Sequence, residues 1–278
     1  MGGRSRPTRG PRPGLALGVV AVLLHATAPA VAQELSRELR AGEDPRASLS
    51  FPARANVCGA GDAILVRGTD GSSIYHTGGR SSWYGAAGWD AGDSPCETGD
   101  VRVELGLRLD RVARVDLRVG TYEAGPGRDL GRVRGQSAVD FLLAEARHAE
   151  PDAARRLILA ASLAADAVVW PALLEMARDR ALPAEIRKTA VHWLGREAAA
   201  EAVRELGGIV RDRRESDEIR ETAVFALSQL PDDQAVSRLI EVVRDVDDAR
   251  VRSRALFWLA EKQDPRALAL FEEILTGG

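Results

Sequence analysis

The residues that could do chemistry fall into four small sets. The first is a pair of cysteines, Cys58 and Cys96, the only two in the chain. A bridge between them would close a loop of about 40 residues, worth about 4 kcal/mol in the loop-closure account. The competing readings are two free buried thiols or half of a metal site; two thiolates with no histidine nearby make a poor zinc site. The second set is arginine. Arg187, Arg220 and Arg252 sit in three near-identical phrases, and Arg178, Arg211 and Arg244 each precede an aspartate. A row of guanidinium groups can grip carboxylates of a partner. The same row can instead pair with acids of its own chain, or sit in a last helical turn where the helix dipole favours a cation.

The third set is aromatic. Trp83, Tyr84 and Trp89 lie within the glycine-rich stretch "GGRSSWYGAAGWDAGDSPCETGD". Aromatics in an exposed loop suit stacking on a sugar or holding a peptide. A small domain also needs such side chains for its core. Asp90, Asp93, Glu97 and Asp100 in the same stretch offer oxygen ligands, but their spacing does not fit an EF-hand and aspartate is common in turns. The fourth set is the histidines beyond residue 32: His76, His148 and His192, none in a paired metal-ligating spacing. No serine stands in Gly-x-Ser-x-Gly, "GAGDA" (59–63) is too short for a nucleotide fingerprint, and no two acids are singled out for acid–base work. The expectation is a non-enzyme with no metal and no cofactor.

The segments that must position these residues begin with an unusual N-terminus. "MGGRSRPTRGPRPG" holds four arginines, "LALGVVAVLL" is apolar, and "HATAPAVAQ" ends in small residues. That order is expected of a secretory signal peptide over residues 1–32, with an apolar core too short to span a bilayer. The whole chain carries 38 basic and 41 acidic residues; without residues 1–32 the basic count is 34 and the net charge −7. Such a chain is a poor nonspecific binder of nucleic acid. Export to a periplasmic or extracellular space makes the Cys58–Cys96 disulfide the favoured pairing. Lysine occurs only twice, at Lys188 and Lys262, which suggests a GC-rich bacterial genome.

Residues 33–47, "QELSRELRAGEDPRA", read as a charged leader, a short helix or loose. From Ser48 the texture turns to glycine, serine and alternating apolar residues. In "VRVELGLRLDRVARVDLRVG", Val101, Val103, Leu105, Leu107 and Leu109 alternate with polar residues, and Ala113, Val115, Leu117 and Val119 do so after a turn at Asp110-Arg111. Two period-two runs across a tight turn predict an antiparallel hairpin with one buried face. "AILVRG" (63–68) and "SSIYH" (72–76) predict another. Residues 48–120 are thus expected to form a small antiparallel β domain, and the glycine- and arginine-rich 121–136 a linker.

From Ser137, an expected cap, the period becomes 3.6. "IRKTAVHWL", "IRETAVFAL" and "VRSRALFWL" then recur at intervals of 33 and 32 residues. Ile186, Ile219 and Val251 correspond, as do Ala190, Ala223 and Ala255, and Leu194, Leu227 and Leu259. A second helix follows each, with the rows Leu173, Leu206, Leu239, Phe271 and Met176, Ile209, Val242, Ile274. A pair of amphipathic helices cannot bury its stripe alone, so copies must stack as layers. Asp264-Pro265, Pro183, Pro231 and Gly195 punctuate the helices. "EEILTGG" carries no obvious polar capping repeat; Glu272 and Glu273 are expected to cap the last layer themselves, with an association surface as the other reading.

The phrases "PAEIRKTAVHWLG", "DEIRETAVFALSQLPDDQAVSRLIEVVRD" and "ARVRSRALFWLAEKQDPRALALFEEIL" resemble the HEAT-repeat family, in its short form named after phycobilisome lyase subunits. The match is close over 184–276 and loose over 152–180. The resemblance implies an all-α solenoid over 137–278 that binds proteins; it implies no lyase activity. The fold expected is therefore α+β in two domains, a small disulfide-linked antiparallel β domain followed by a HEAT-like α-solenoid. The function expected is an exported, non-enzymatic scaffold that holds a protein or peptide on its repeats. Two other readings stand beside it: a ligand-binding or sensory protein recognising through Trp83, Tyr84 and Trp89, and an enzyme or enzyme inhibitor seated in the β domain.

Overall fold

The computed structural model describes residues 28–60, 63–67, 73–77, 80–84, 96–122, 125, 127–197 and 200–277. A first helix, α1 (Ala28–Arg40), covers the end of the expected signal peptide and much of the leader. Leu35 and Leu39, four residues apart, give it one apolar face, buried against α2 (Gly135–Ala146). Glu145, itself buried, accepts two bonds from the Arg40 guanidinium at 2.8 and 2.9 Å and one from the Ser36 hydroxyl at 2.7 Å. The charged leader is thus a structural strap.

Eight strands follow among the described residues: β1 (Arg46–Pro52), β2 (Val57–Ala60), β3 (Ala63–Arg67), β4 (Ser73–Thr77), β5 (Arg80–Tyr84), β6 (Asp100–Arg108), β7 (Arg111–Val119) and β8 (Arg128–Arg132). They make two four-stranded sheets, in the orders β7-β6-β1-β8 and β2-β3-β4-β5. Every neighbouring pair is antiparallel except β1 and β8, which run parallel. Both expected hairpins are present, β3–β4 and β6–β7. The second departs from strict alternation. Its register shifts between Gly106 and Leu107, and the turn falls at Leu109-Asp110, both with positive φ, one residue before the expected place. Leu109, expected on the buried face, is 92% exposed, and β7 buries Val112, Val115 and Val119. A bulge changes which residues face the core, and periodicity alone cannot see it. β8 lies inside the stretch expected as a linker.

Cys58 on β2 and Cys96 are joined by a disulfide, their Cα atoms 5.4 Å apart. The bridge ties β2 to the segment that leads into β6. Gly59 exchanges two backbone bonds with Glu97 at 2.8 Å beside it. A side chain at Gly59 would run into the Val119 carbonyl oxygen, so glycine lets β2 lie against β7.

Among the described residues nine helices then run without interruption by strands: α2, α3 (Pro151–Ser162), α4 (Trp170–Arg178), α5 (Ala184–Arg196), α6 (Ala200–Arg211), α7 (Asp217–Ser228), α8 (Asp232–Asp245), α9 (Ala249–Ala260) and α10 (Pro265–Thr276). The first helices α5, α7 and α9 stack in one row, and α4, α6, α8 and α10 in a second. Gly195 is not a helix stop; it lies inside α5, where an added Cβ would stand 2.6 Å from that of Ala226. It sets the close approach of α5 and α7. Pro183 and Pro231 stand at the N-cap positions of α5 and α8, a first and a second helix respectively. Asp264 caps α10, Asp248 caps α9 and Ser216 caps α7, each accepting from backbone amides. Ser137, the expected cap of α2, is buried inside its first turn, because the helix begins earlier at Gly135. The core is continuous: β7 packs on α3, β1 on α2, and buried apolar residues run from Ala32 to Leu270.

Candidate functional site

The arginine rows are where the repeated sequence concentrates charge, and the fold treats the two rows differently. Arg187 is 6% exposed and Arg220 is 4% exposed. Each sends its Nε to a carbonyl ten residues earlier, Arg187 to Ala177 at 2.8 Å and Arg220 to Val210 at 2.9 Å. That bond closes an orphan acceptor at the end of the preceding second helix. Each then reaches an acid in the loop entering the next layer, Arg187 to Glu215 and Arg220 to Asp248. Asp248 accepts from the Arg250 and Val251 amides through one oxygen and from Arg220 through the other. These bonds, those to the Val251 amide foremost, hold its carboxyl below the usual carboxylate range. Burial pushes Glu215 up, but Arg187 and the Ser216 amide more than offset this and its pKa is lowered. Arg187 and Arg220 lock layer to layer and are not presented to a partner. Arg252, third in the row, is exposed, with no ion pair among the described residues.

Arg178, Arg211 and Arg244 are exposed at the ends of second helices. They also reach forward by one layer, Arg178 to Glu205 at 2.7 Å, Arg211 to Asp245 at 3.2 Å and Arg244 to Glu273 at 2.8 Å. Such exposed pairs are weak, ~0–1 kcal/mol each, and a partner's carboxylate can compete for the arginine. Arg211 also lines a groove between α6 and α8. Val203, Arg204 and Gly207 form one wall, Arg238, Glu241 and Val242 the other, with Leu227 beneath. The opening exists because Gly207 stands where α4 has Leu174 and α8 has Ile240. Three arginines and one carboxylate therefore surround an apolar floor. Arg238 holds Glu241 at 3.0 Å and Arg211 approaches it at 3.7 Å, while Arg211 also holds Asp245 at 3.2 Å and Arg204 approaches Glu205 at 3.9 Å. Arg204 and Arg238 belong to no repeated row, whereas Glu241 stands where α4 has Glu175 and α10 has Glu273. The readable signal was the glycine breaking an apolar column.

Aromatic residues form a second chain of contacts across the layers. His192 stacks on Phe225 with centroids 6.0 Å apart, and Phe225 meets Trp258 at 5.1 Å. Trp193 is buried, and Ala226, at its position in the next layer, leaves room for Gly195. Burial, with the positive charge of Arg196 adding to it, pushes His192 down to about 4. It is a neutral packing residue at pH 7.

The aromatic set of the sheet is only partly visible. Trp83 and Tyr84 lie on strand β5, opposite Ile74 and Ser73, and not in a loop as expected. Trp89, Asp90 and Asp93 lie outside the described residues. Of the two other acids considered for calcium, Glu97 accepts the Thr121 amide at 2.9 Å and Asp100 binds the Arg132 guanidinium. Among the described residues no group of three His, Cys, Asp or Glu could hold a metal. No helix among them is long and apolar enough to cross a membrane.

A family model for HEAT repeats matches residues 171–260 and 210–277. The match covers α5–α10 and most of α4 and none of the sheets. No curated protein matches the chain. The helices within residues 171–277 are thus similar to HEAT repeats, units that generally mediate protein–protein interaction.

Proposed function

We propose that this protein is an exported, non-enzymatic scaffold that holds an acidic protein or peptide in the α6–α8 groove. The carrying observation is the groove itself, with Arg204, Arg211 and Arg238 around the apolar floor opened by Gly207. Guanidinium forks recognise carboxylates, and the floor accepts an apolar side chain beside them. Arg178 and Arg244 extend the same polarity along the neighbouring second helices. Support for export is the order of basic, apolar and small-residue segments in residues 1–32. The disulfide is consistent with an oxidising compartment.

The test is affinity capture from an envelope extract, using the intact protein and its Arg204→Glu/Arg211→Glu/Arg238→Glu variant. Because the sheets and helices share one core, separated halves would be poor baits. The reading expects a partner that the parent retains and the variant loses, at unchanged helical content. A partner retained equally by both moves recognition to another surface, with β5 and its aromatics first.

A further inference from the structure

The last described layer, α9 and α10, keeps the residues that the preceding layers use for stacking. Leu268 aligns with Val236 and Val203, and Leu275 with Val243 and Val210. Those four valines are 6% exposed or less, whereas Leu268 is 59% and Leu275 85% exposed. On α9, Phe257 is 51% exposed where its counterpart Phe225 is packed between His192 and Trp258. Glu273 is engaged by Arg244 and does not cover this face. The expected self-capping is therefore not what the structure holds.

The same face holds one charge of each sign without an ion-pair partner among the described residues. Arg252 is the lock arginine whose counterparts Arg187 and Arg220 each take a carboxylate from the following layer. Glu272 occupies the α10 position aligned with Gly207, the residue that faces α8 across the groove. The short turn at 261–264 makes α9 and α10 antiparallel neighbours, so the start of α9 is level with the end of α10. A two-fold rotation about an axis along these helices lays α9 over α10 of a second copy. It sets Arg252 opposite Glu272 of the partner subunit, twice, with Phe257, Leu268 and Leu275 enclosed between.

We infer that this face pairs with itself, and that the protein is a two-fold dimer joined through α9 and α10. The argument for a second copy over another protein is self-complementarity: one face supplies both the cation and the carboxylate, at heights that a two-fold exchange brings together. The α6–α8 groove lies a layer away, so the inference does not rest on the scaffold reading.

Sedimentation of the purified protein over a micromolar to hundred-micromolar range tests it. The parent is expected as a dimer, and Leu268→Glu/Leu275→Glu as a folded monomer. Arg252→Glu alone and Glu272→Arg alone are each expected to raise the dissociation constant at least tenfold. The exchange Arg252→Glu/Glu272→Arg is expected to restore the dimer, which a purely apolar contact would not require. A parent that stays monomeric throughout the range overturns the inference. So does a dimer indifferent to the leucine substitutions, or a parent monomer that captures a different protein through Leu275.

Discussion

Arg187 and Arg220 sit in first helices with their guanidinium groups turned between layers, each bound to a carbonyl behind and a carboxylate ahead. Arg178, Arg211 and Arg244 sit at second-helix ends, also paired one layer ahead, yet in water. Both rows read the same way in the sequence: one residue type, one register, an acid within reach. What separates them is solvent. An inward arginine that loses its carboxylate leaves a buried charge, while an outward one merely exchanges partners. The inward row therefore belongs to stability, and the outward row is free to take part in binding.

The largest expected effect tests the inward row. Glu215→Ala leaves the buried Arg187 guanidinium without its carboxylate, and should cost about 3–5 kcal/mol by urea denaturation. Arg211→Ala should cost less than about 1 kcal/mol in the same assay. Equal losses would break the distinction between the rows. Next comes the region that has no repeats to stack. Cys58→Ser/Cys96→Ser, or reduction of the parent, should lower stability by about 3–4 kcal/mol, read from melts with and without reductant. An unchanged melt would mean the sheets do not depend on the bridge.

A third prediction concerns pH and the aromatic chain. His192 stays neutral in the fold down to about pH 4, while the unfolded chain takes up that proton near 6.5. Stability from this group is therefore whole above pH 6.5 and is lost as pH falls from there towards 4, by about 3 kcal/mol. His192→Phe, the residue its column carries at Phe225 and Phe257, should remove that share of the acid sensitivity. Parallel pH–stability curves for parent and variant would count against it. The smallest effect is on Arg244→Ala, within about 1 kcal/mol of the parent in stability, with any loss appearing in partner capture instead.

How much of this was readable varies by element. The α5–α10 layers were plain because one phrase is written three times, and burial follows its alanine and leucine rows. The β3–β4 and β6–β7 hairpins were plain through alternation, but the bulge after Gly106 moved Leu109 out to the turn. Two elements were hidden for physical reasons. In α1 the apolar pair Leu35 and Leu39 is set among charges, and it is a buried stripe only once α2 supplies Glu145 for Arg40. β8 has no buried residue of its own, and it exists as a strand because β1 lies parallel to it, about 80 residues earlier in the chain. The groove was the least visible, since a missing side chain at Gly207 leaves no motif. Columns show which positions are equivalent; they do not show which face water reaches.

The most direct measurement of the central claim is the capture experiment with a single exchange, Gly207→Ile, which fills the groove with the residue α8 carries at that position. Stability should be unchanged or slightly higher, as glycine leaves a helix interior. The account predicts a folded protein that no longer retains its partner. A variant that folds as the parent does and retains the partner undiminished would contradict it.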